Sequence, residues 1–186
     1  MNKVIILGSP GSGKSTFAKA LQKITNLPLY HLDNIWWKVD KTHISRDEFD
    51  LNLSKILKTP SWIIDGDYSR TYEIRINCCD TIFFLDYNID TCLAGLISRI
   101  NIKRDDIPFI DKNVDDFLVN SVKEYKNTKR LVLLELFDQY NYNRVERLEL
   151  CLQPPSHTTV RTVRYTAVSK QFNLIRSFHY AMKERT

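Results

Sequence analysis

Short apolar runs alternate with longer amphipathic segments over the first half of the chain. The apolar runs cover residues 3–7, 29–32, 62–64 and 81–85, and they have the length and side-chain types of buried strands. Residues 14–24 and 46–58 lie between them and repeat apolar positions at helical spacing. Ser45 and Glu48 form a capping-box pattern at the second of these segments. Apolar strands that alternate with amphipathic helices predict an α/β fold with a central parallel sheet.

The pattern changes after Asp86, where helices replace the alternation. We predict helices over residues 89–100, 117–125 and 130–140, and a last strand over residues 145–152. The polar, charged stretch at 101–116 has few apolar anchors and predicts a lid region at about 99–128. Pro154 and Pro155 mark the clearest boundary in the chain. We therefore predict one domain over residues 1–152 and a C-terminal extension over residues 153–186.

The segment between the first strand and the first helix has the pattern of a phosphate-binding loop. Residues 8–15 read GSPGSGKS and match G-x-x-x-x-G-K-[ST] at every required position. Glycines let the backbone turn several N–H groups toward one anion, and the helix that follows adds its positive N-terminal end. The pattern predicts binding of a purine nucleoside triphosphate with Mg²⁺. The predicted phosphate-binding residues are Gly8, Gly11, Ser12, Gly13, Lys14, Ser15 and Thr16.

Acidic residues follow three of the predicted strands, at the sheet edge where ligands bind in parallel α/β folds. Asp65 comes directly after residues 62–64, and we predict that it and the Ser15 hydroxyl hold the metal. Asp86 ends an equally apolar run and is the alternative to Asp65. Asp33 is placed to orient an acceptor hydroxyl or to take its proton. Each of these acids has the alternative role of capping a helix or a turn.

The residues around Asp33 suggest where an acceptor would bind. His31 shares the face of Asp33 if the strand alternates, although a histidine alone at such a position indicates a core role. Trp36 and Trp37 either line an acceptor pocket or pack in the core. Lid cations could stabilise the charge of the transferring phosphate, or they could lie on a solvated helix face. The candidate cations are Arg70, Arg75, Arg99, Lys103 and Arg104.

Composition narrows the functional class without changing the predicted fold. Residues 151–186 contain six Lys or Arg side chains and one acid, so they account for all of the net charge of +5. A basic surface for DNA is therefore predicted only in the extension. The four cysteines show no zinc-site spacing, and no apolar run is long enough to cross a membrane. We predict a cytoplasmic protein.

The extension has three interpretations. Residues 158–167 partly alternate and predict a strand, and residues 168–182 have the spacing of an amphipathic helix. These elements could pack on the domain or on a second subunit, as a monomer or a homodimer. The extension could instead be an altered terminus with little effect on the rest of the chain, or a basic arm for nucleic acid.

Several motifs together resemble one family. They are residues 8–15, the YHLD sequence at 30–33 with Trp37, WIIDG at 62–66 with Tyr68, Arg75, and DTIFFLD at 80–86. In this order they resemble the adenylate-kinase-like P-loop proteins called DNA topology modulation proteins of the FlaR type. The resemblance covers about residues 1–150. It implies a three-layer P-loop kinase fold with strand order 2-3-1-4-5, ATP as the donor, Asp65 beside Mg²⁺ and an arginine-bearing lid.

The chain departs from that family in two places. Its lid region is richer in acids, with Asp105, Asp106, Asp111, Asp115 and Asp116, and residues 151–186 have no counterpart. Our leading hypothesis is an ATP-dependent kinase of a small molecule or a nucleotide. The alternative is a nucleotide-binding regulatory protein that acts on DNA topology or a protein partner. The predicted catalytic residues are Lys14, Asp33, Arg99 and Arg104, and the predicted substrate contacts are Asp33, Trp37 and Arg75.

Overall fold

One six-stranded sheet and its covering helices make up the part of the chain that the structure describes. The structure is a computed structural model, and it describes residues 1–140, 145–151 and 162–166. The strands are β1 (Lys3–Gly8), β2 (Leu29–His31), β3 (Trp62–Asp65), β4 (Thr81–Leu85), β5 (Val145–Cys151) and β6 (Thr162–Thr166). The helices are α1 (Lys14–Thr25), α2 (Leu32–Trp36), α3 (Arg46–Leu57), α4 (Tyr72–Cys78), α5 (Ile89–Ile97), α6 (Asp116–Tyr125) and α7 (Lys129–Gln139), with a 3₁₀ turn at Ser69–Thr71.

The sheet has the order β2-β3-β1-β4-β5-β6. The first five strands are parallel, and β6 pairs antiparallel with β5 at the edge. The predicted α/β class with a central parallel sheet is confirmed. The order 2-3-1-4-5 is present, with β6 as an additional edge strand inside the stretch where alternation predicts one. The helix predicted over residues 168–182 lies outside the described residues.

Helices cover both faces of the sheet, which gives three layers. Ile5 and Leu7 of β1 pack into a core cluster with side chains of α3, α4 and α7. Val4 and Ile6 point to the opposite face and pack with α1. All four of these side chains are fully buried, which explains why β1 is a continuous apolar run rather than an alternating one.

Three boundaries differ from the predicted ones. The strand at residues 29–32 ends at His31, so Asp33 lies in the first turn of the short helix α2. Helix α5 ends at Ile97 rather than at residue 100. Residues 101–115 contain no helix or strand, so the lid region is helical only in its second half, where the Asp115 carboxylate caps α6. Among the described helices, none combines the length and the apolar character needed to cross a membrane.

Candidate active site

The phosphate loop connects β1 to α1 at the carboxyl edge of the sheet. Gly8, Gly11 and Gly13 have φ angles of 146°, 76° and 83°, a region that side chains rarely adopt. A Cβ at Gly13 would have no heavy atom within 4 Å, so this position of the loop faces open space. Gly13 also directly precedes α1, whose N-terminal N–H groups are not bonded within the helix. The loop therefore has the backbone conformation of an anion cradle.

Lys14, Ser15 and Thr16 form the first turn of α1. The Lys14 ammonium donates hydrogen bonds to the carbonyl oxygens of Gly8 and Ser9, both at 2.9 Å, which holds it over the loop. Ser15 is half-buried and Thr16 is exposed, whereas Ser12 is buried inside the loop. The Ser12 hydroxyl has no hydrogen-bond partner among the described residues. The predicted phosphate-binding residues thus lie together around one loop.

Helix α5 supports the loop from behind through a glycine that sequence reasoning missed. A Cβ on Gly95 would lie 2.0 Å from the Gly11 carbonyl oxygen, and a Cβ on Gly11 would lie 2.0 Å from the Cys92 carbonyl oxygen. Only glycines allow the two backbones to approach so closely. The available signal was the position of Gly95 inside a predicted helix, where glycine is unfavourable without a packing reason.

Asp65 ends β3 beside the phosphate loop, because β3 and β1 are neighbours in the sheet. Its side chain is 4% exposed, and one oxygen, Oδ2, lies 2.8 Å from His31 Nδ1. The other oxygen, Oδ1, is buried without a hydrogen-bond partner among the described residues. A buried carboxylate oxygen of this kind fits the water shell of Mg²⁺, which proteins bind through one or two carboxylates together with substrate phosphates. The donor set fits such an ion only in part, since no group of three or more His, Cys, Asp or Glu side chains in the described ranges could hold a metal alone.

Asp86, the alternative metal-side acid, has a different environment. Its carboxylate accepts three hydrogen bonds of 2.8 to 3.1 Å from the Arg130 guanidinium at the start of α7. The negative charge of Asp86 is therefore already compensated, which favours Asp65 for the metal. Sequence reasoning also missed Arg130, which lines a cavity of about 530 Å³ together with Ser9, Tyr125 and Lys126. Its position in a helix after the lid region gave no signal of a contact with Asp86.

Asp33 lies near Lys14 and Asp65 in the first turn of α2. Burial raises the pKa of its carboxyl group, a hydrogen bond from the Tyr68 hydroxyl opposes this rise, and the charge of Asp65 adds to it. The Tyr68 oxygen is 2.7 Å from Asp33 Oδ1. Burial and the neighbouring Asp33 carboxylate raise the pKa of Tyr68. The phenol therefore stays protonated and donates a hydrogen bond to Asp33. A carboxylate oriented in this way can accept a hydrogen bond from an acceptor hydroxyl.

The two tryptophans have separate environments. Trp36 packs against Phe49 and Tyr68 and stacks on His43 with 4.3 Å between ring centroids. Trp37 lies nearer the lid region and meets Phe109 edge to face at 6.0 Å. Trp36 therefore belongs to the packing around Phe49 and Tyr68, and Trp37 lies where the lid region meets the end of α2.

The predicted contact between Arg75 and a substrate needs correction. Its side chain is fully buried, and its guanidinium donates to the carbonyl oxygens of Gly66, Tyr68 and Thr71 at 2.9 to 3.2 Å. Burial lowers the pKa of this group. All three bonds go to the loop after β3, so Arg75 holds that loop from inside the protein. A sequence pattern cannot distinguish such a buried arginine from one that faces a ligand.

The lid arginines are held by acids of the same segment. Arg104 forms ion pairs with Asp106 at 3.3 Å and Asp111 at 3.2 Å, and Arg99 lies 4.0 Å from Asp111. Burial lowers the pKa of Arg99, as does the positive charge of Arg104 nearby. Of the other two candidate cations, Arg70 pairs with Asp50, and Lys103 is exposed.

Asp106 is a site residue that sequence reasoning missed. Acids near a triphosphate would repel it unless they face solvent, but Asp106 is 4% exposed and lies near the Ser15 side chain. Burial would raise its pKa, but the charge of Arg104 and the nearby Ser15 hydroxyl outweigh burial and hold the pKa below its usual value. The lid region thus reaches the phosphate loop. Its backbone is also bonded to α2, where Asn34 donates to the Asp105 carbonyl oxygen at 2.6 Å.

Comparison with known proteins shows similarity to adenylate kinases. The chain is 26% identical over 153 residues to an adenylate kinase of Thermotoga petrophila, covering 81% of this chain and 60% of that protein. It is 30% identical over 88 residues to an adenylate kinase of Thermotoga maritima, and this match covers 46% of this chain and 39% of that protein. The chain therefore spans less than two thirds of the length of these curated relatives.

A solved shikimate kinase from Bacteroides thetaiotaomicron aligns with a TM-score of 0.44 and 18% identity, covering 69% of this chain and 80% of that one. No protein-family model matches the chain. The similarity to adenylate kinases supports a P-loop kinase-like fold. Membership of the DNA topology modulation family stays a prediction.

Proposed function

We propose that this protein is an ATP-dependent phosphotransferase that moves the γ-phosphate of ATP to a small molecule or a nucleotide. The observation that carries the proposal is the meeting of three features at one sheet edge. These are the glycine loop with Lys14, the half-buried hydroxyl of Ser15, and the carboxylates of Asp33 and Asp65. The similarity to adenylate kinases supports the same class of reaction and favours ATP as the donor.

In the proposed mechanism, the backbone N–H groups of the loop and the Lys14 ammonium bind the β- and γ-phosphates. Ser15 and Asp65 would hold Mg²⁺, and the bound ion would neutralise phosphate charge. Asp33 orients the acceptor, and Tyr68 fixes the carboxylate from behind. Arg99 and Arg104 stabilise the negative charge of the transferring phosphoryl group. To do so, the ATP phosphates must compete for these guanidinium groups with their present partners, Asp106 and Asp111.

The proposed transfer is a single displacement. A bond forms between the acceptor oxygen and the γ-phosphorus, and the bond from that phosphorus to the β–γ bridging oxygen breaks. ADP leaves with the bridging oxygen. The proton of a hydroxyl acceptor passes to Asp33, whose raised pKa makes it a better base than an ordinary aspartate.

The test is transfer of labelled γ-phosphate from ATP to a panel of nucleosides, nucleoside monophosphates, sugars and small hydroxy acids, with Mg²⁺ present. We expect a labelled product with one acceptor class and its loss in Lys14→Ala. Release of phosphate to water alone, at the same slow rate with every acceptor, would contradict the proposal. That result would favour the alternative, a nucleotide-binding regulatory protein.

A further inference from the structure

We propose that His31 is a positioning residue that orients the Asp65 carboxylate toward the metal and phosphates. The inference rests on the proposed function, because it concerns how this chain prepares its metal-side acid. His31 and Asp65 lie far apart in sequence, but they are direct partners in the parallel pairing of β2 with β3. Both residues end their strands, so both side chains lie at the carboxyl edge of the sheet.

The contact between the two side chains has a defined direction. His31 Nδ1 lies 2.8 Å from Asp65 Oδ2, and the side chains are 9% and 4% exposed. A carboxylate has only acceptor atoms, so the Nδ1–H group of the ring donates this hydrogen bond. At this burial, water competes poorly for the bond. The ring therefore holds one particular oxygen of Asp65.

This bond determines what the second oxygen can do. Rotation about the terminal carboxyl torsion of an aspartate is only weakly restricted, so an unheld carboxylate can exchange its two oxygens. With Oδ2 held by His31, Oδ1 stays buried without a partner among the described residues. Mg²⁺ accepts little deviation from octahedral geometry. A fixed Oδ1 should therefore bind such an ion more tightly than the oxygen of a mobile carboxylate. Groups that hydrogen-bond to a metal ligand usually have this orienting role.

Three variants separate the hydrogen bond from the bulk of the ring. His31→Leu removes the donor and keeps a side chain of similar size. His31→Asn keeps an N–H donor the same number of bonds from the backbone as Nδ1. His43→Leu is the matched control, because His43 is exposed, stacks on Trp36 and bonds to the Ile44 carbonyl oxygen rather than to Asp65.

The measurement is the dissociation constant of ATP by calorimetry, once with excess Mg²⁺ and once with EDTA. The constant in EDTA divided by the constant in Mg²⁺ reports how strongly the metal contributes to binding. We expect His31→Leu to reduce this ratio by about tenfold, the lower end of what removal of such a partner costs in metal affinity. Asp65→Asn should reduce it at least as much, whereas His31→Asn and His43→Leu should stay within about twofold of wild type.

Two results would overturn the inference. One is an unchanged ratio in His31→Leu, and the other is an equal loss in His31→Asn and His31→Leu, which would show that the ring and not the donor matters. If His31→Leu fails to fold, His31→Gln replaces it, because its amide lies one bond further from the backbone. Absence of any ATP binding by the wild type would instead contradict the proposed function.

Discussion

Gly95→Ala tests whether α5 holds the phosphate loop in its binding conformation. In an ordinary helix, this substitution stabilises by about 1 kcal/mol. Here, the new Cβ would lie 2.0 Å from the Gly11 carbonyl oxygen, and real Cβ contacts essentially never fall under 3.0 Å. The two backbones must separate by about 1 Å, and overpacking of this kind costs about 1 to 3 kcal/mol. We therefore expect a net loss of about 1 kcal/mol, the opposite sign from helix propensity.

The assays are urea unfolding and ATP titration with Mg²⁺. Since the displacement reaches the phosphate loop, we expect ATP affinity to fall on the order of tenfold. Ala94→Gly is the control: Ala94 lies on the exposed side of the same helix, so it should lose about 1 kcal/mol by propensity and bind ATP normally. An increase in stability in Gly95→Ala, together with unchanged ATP affinity, would refute the reasoning.

Three further substitutions test other parts of the site. Arg75→Met should lower the free energy of unfolding by about 3 kcal/mol or more, because it leaves three backbone carbonyls without their charged donor; a stable variant that only loses substrate affinity would restore the substrate role. Burial raises the pKa of Asp33, so its ionised form costs stability as pH rises above about 4. Asp33→Asn should then raise the melting temperature at pH 7 but not at pH 3 while slowing transfer, and a lower melting temperature at pH 7 would contradict this sign. Asp106→Asn should tighten ATP binding in EDTA by about fivefold or more, since a charge pair about 4 Å apart is worth about 1 kcal/mol even in water and more where it is buried; weaker binding would show that Asp106 serves mainly to hold the lid region.

The sequence was sufficient for the features that depend on local spacing. The loop at residues 8–15 needs only neighbouring residues, and its glycines have the expected left-handed backbone. The α/β class followed from the alternation of apolar runs and helices, and the position of Asp65 followed from its place directly after a buried strand. These inferences held because strand, turn and helix chemistry acts over a few residues.

The remaining features depend on contacts between distant segments, which spacing does not encode. His31 considered alone indicated a core residue. Its contact with Asp65 depends on the register between β2 and β3, which the sequence does not specify. Arg75 resembled a ligand-facing cation, although tertiary packing encloses it completely. The polar stretch at 101–116 gave no periodic signal, so the burial of Asp106 near Ser15 could not be foreseen.

The central claim is that the loop between β1 and α1 binds ATP through Lys14. Calorimetric titration of the wild type and Lys14→Ala with ATP in excess Mg²⁺ tests it most directly, with thermal unfolding to show that both proteins are folded. We expect saturable binding to one site in the wild type and none in Lys14→Ala. Equal affinity in the two proteins would contradict it.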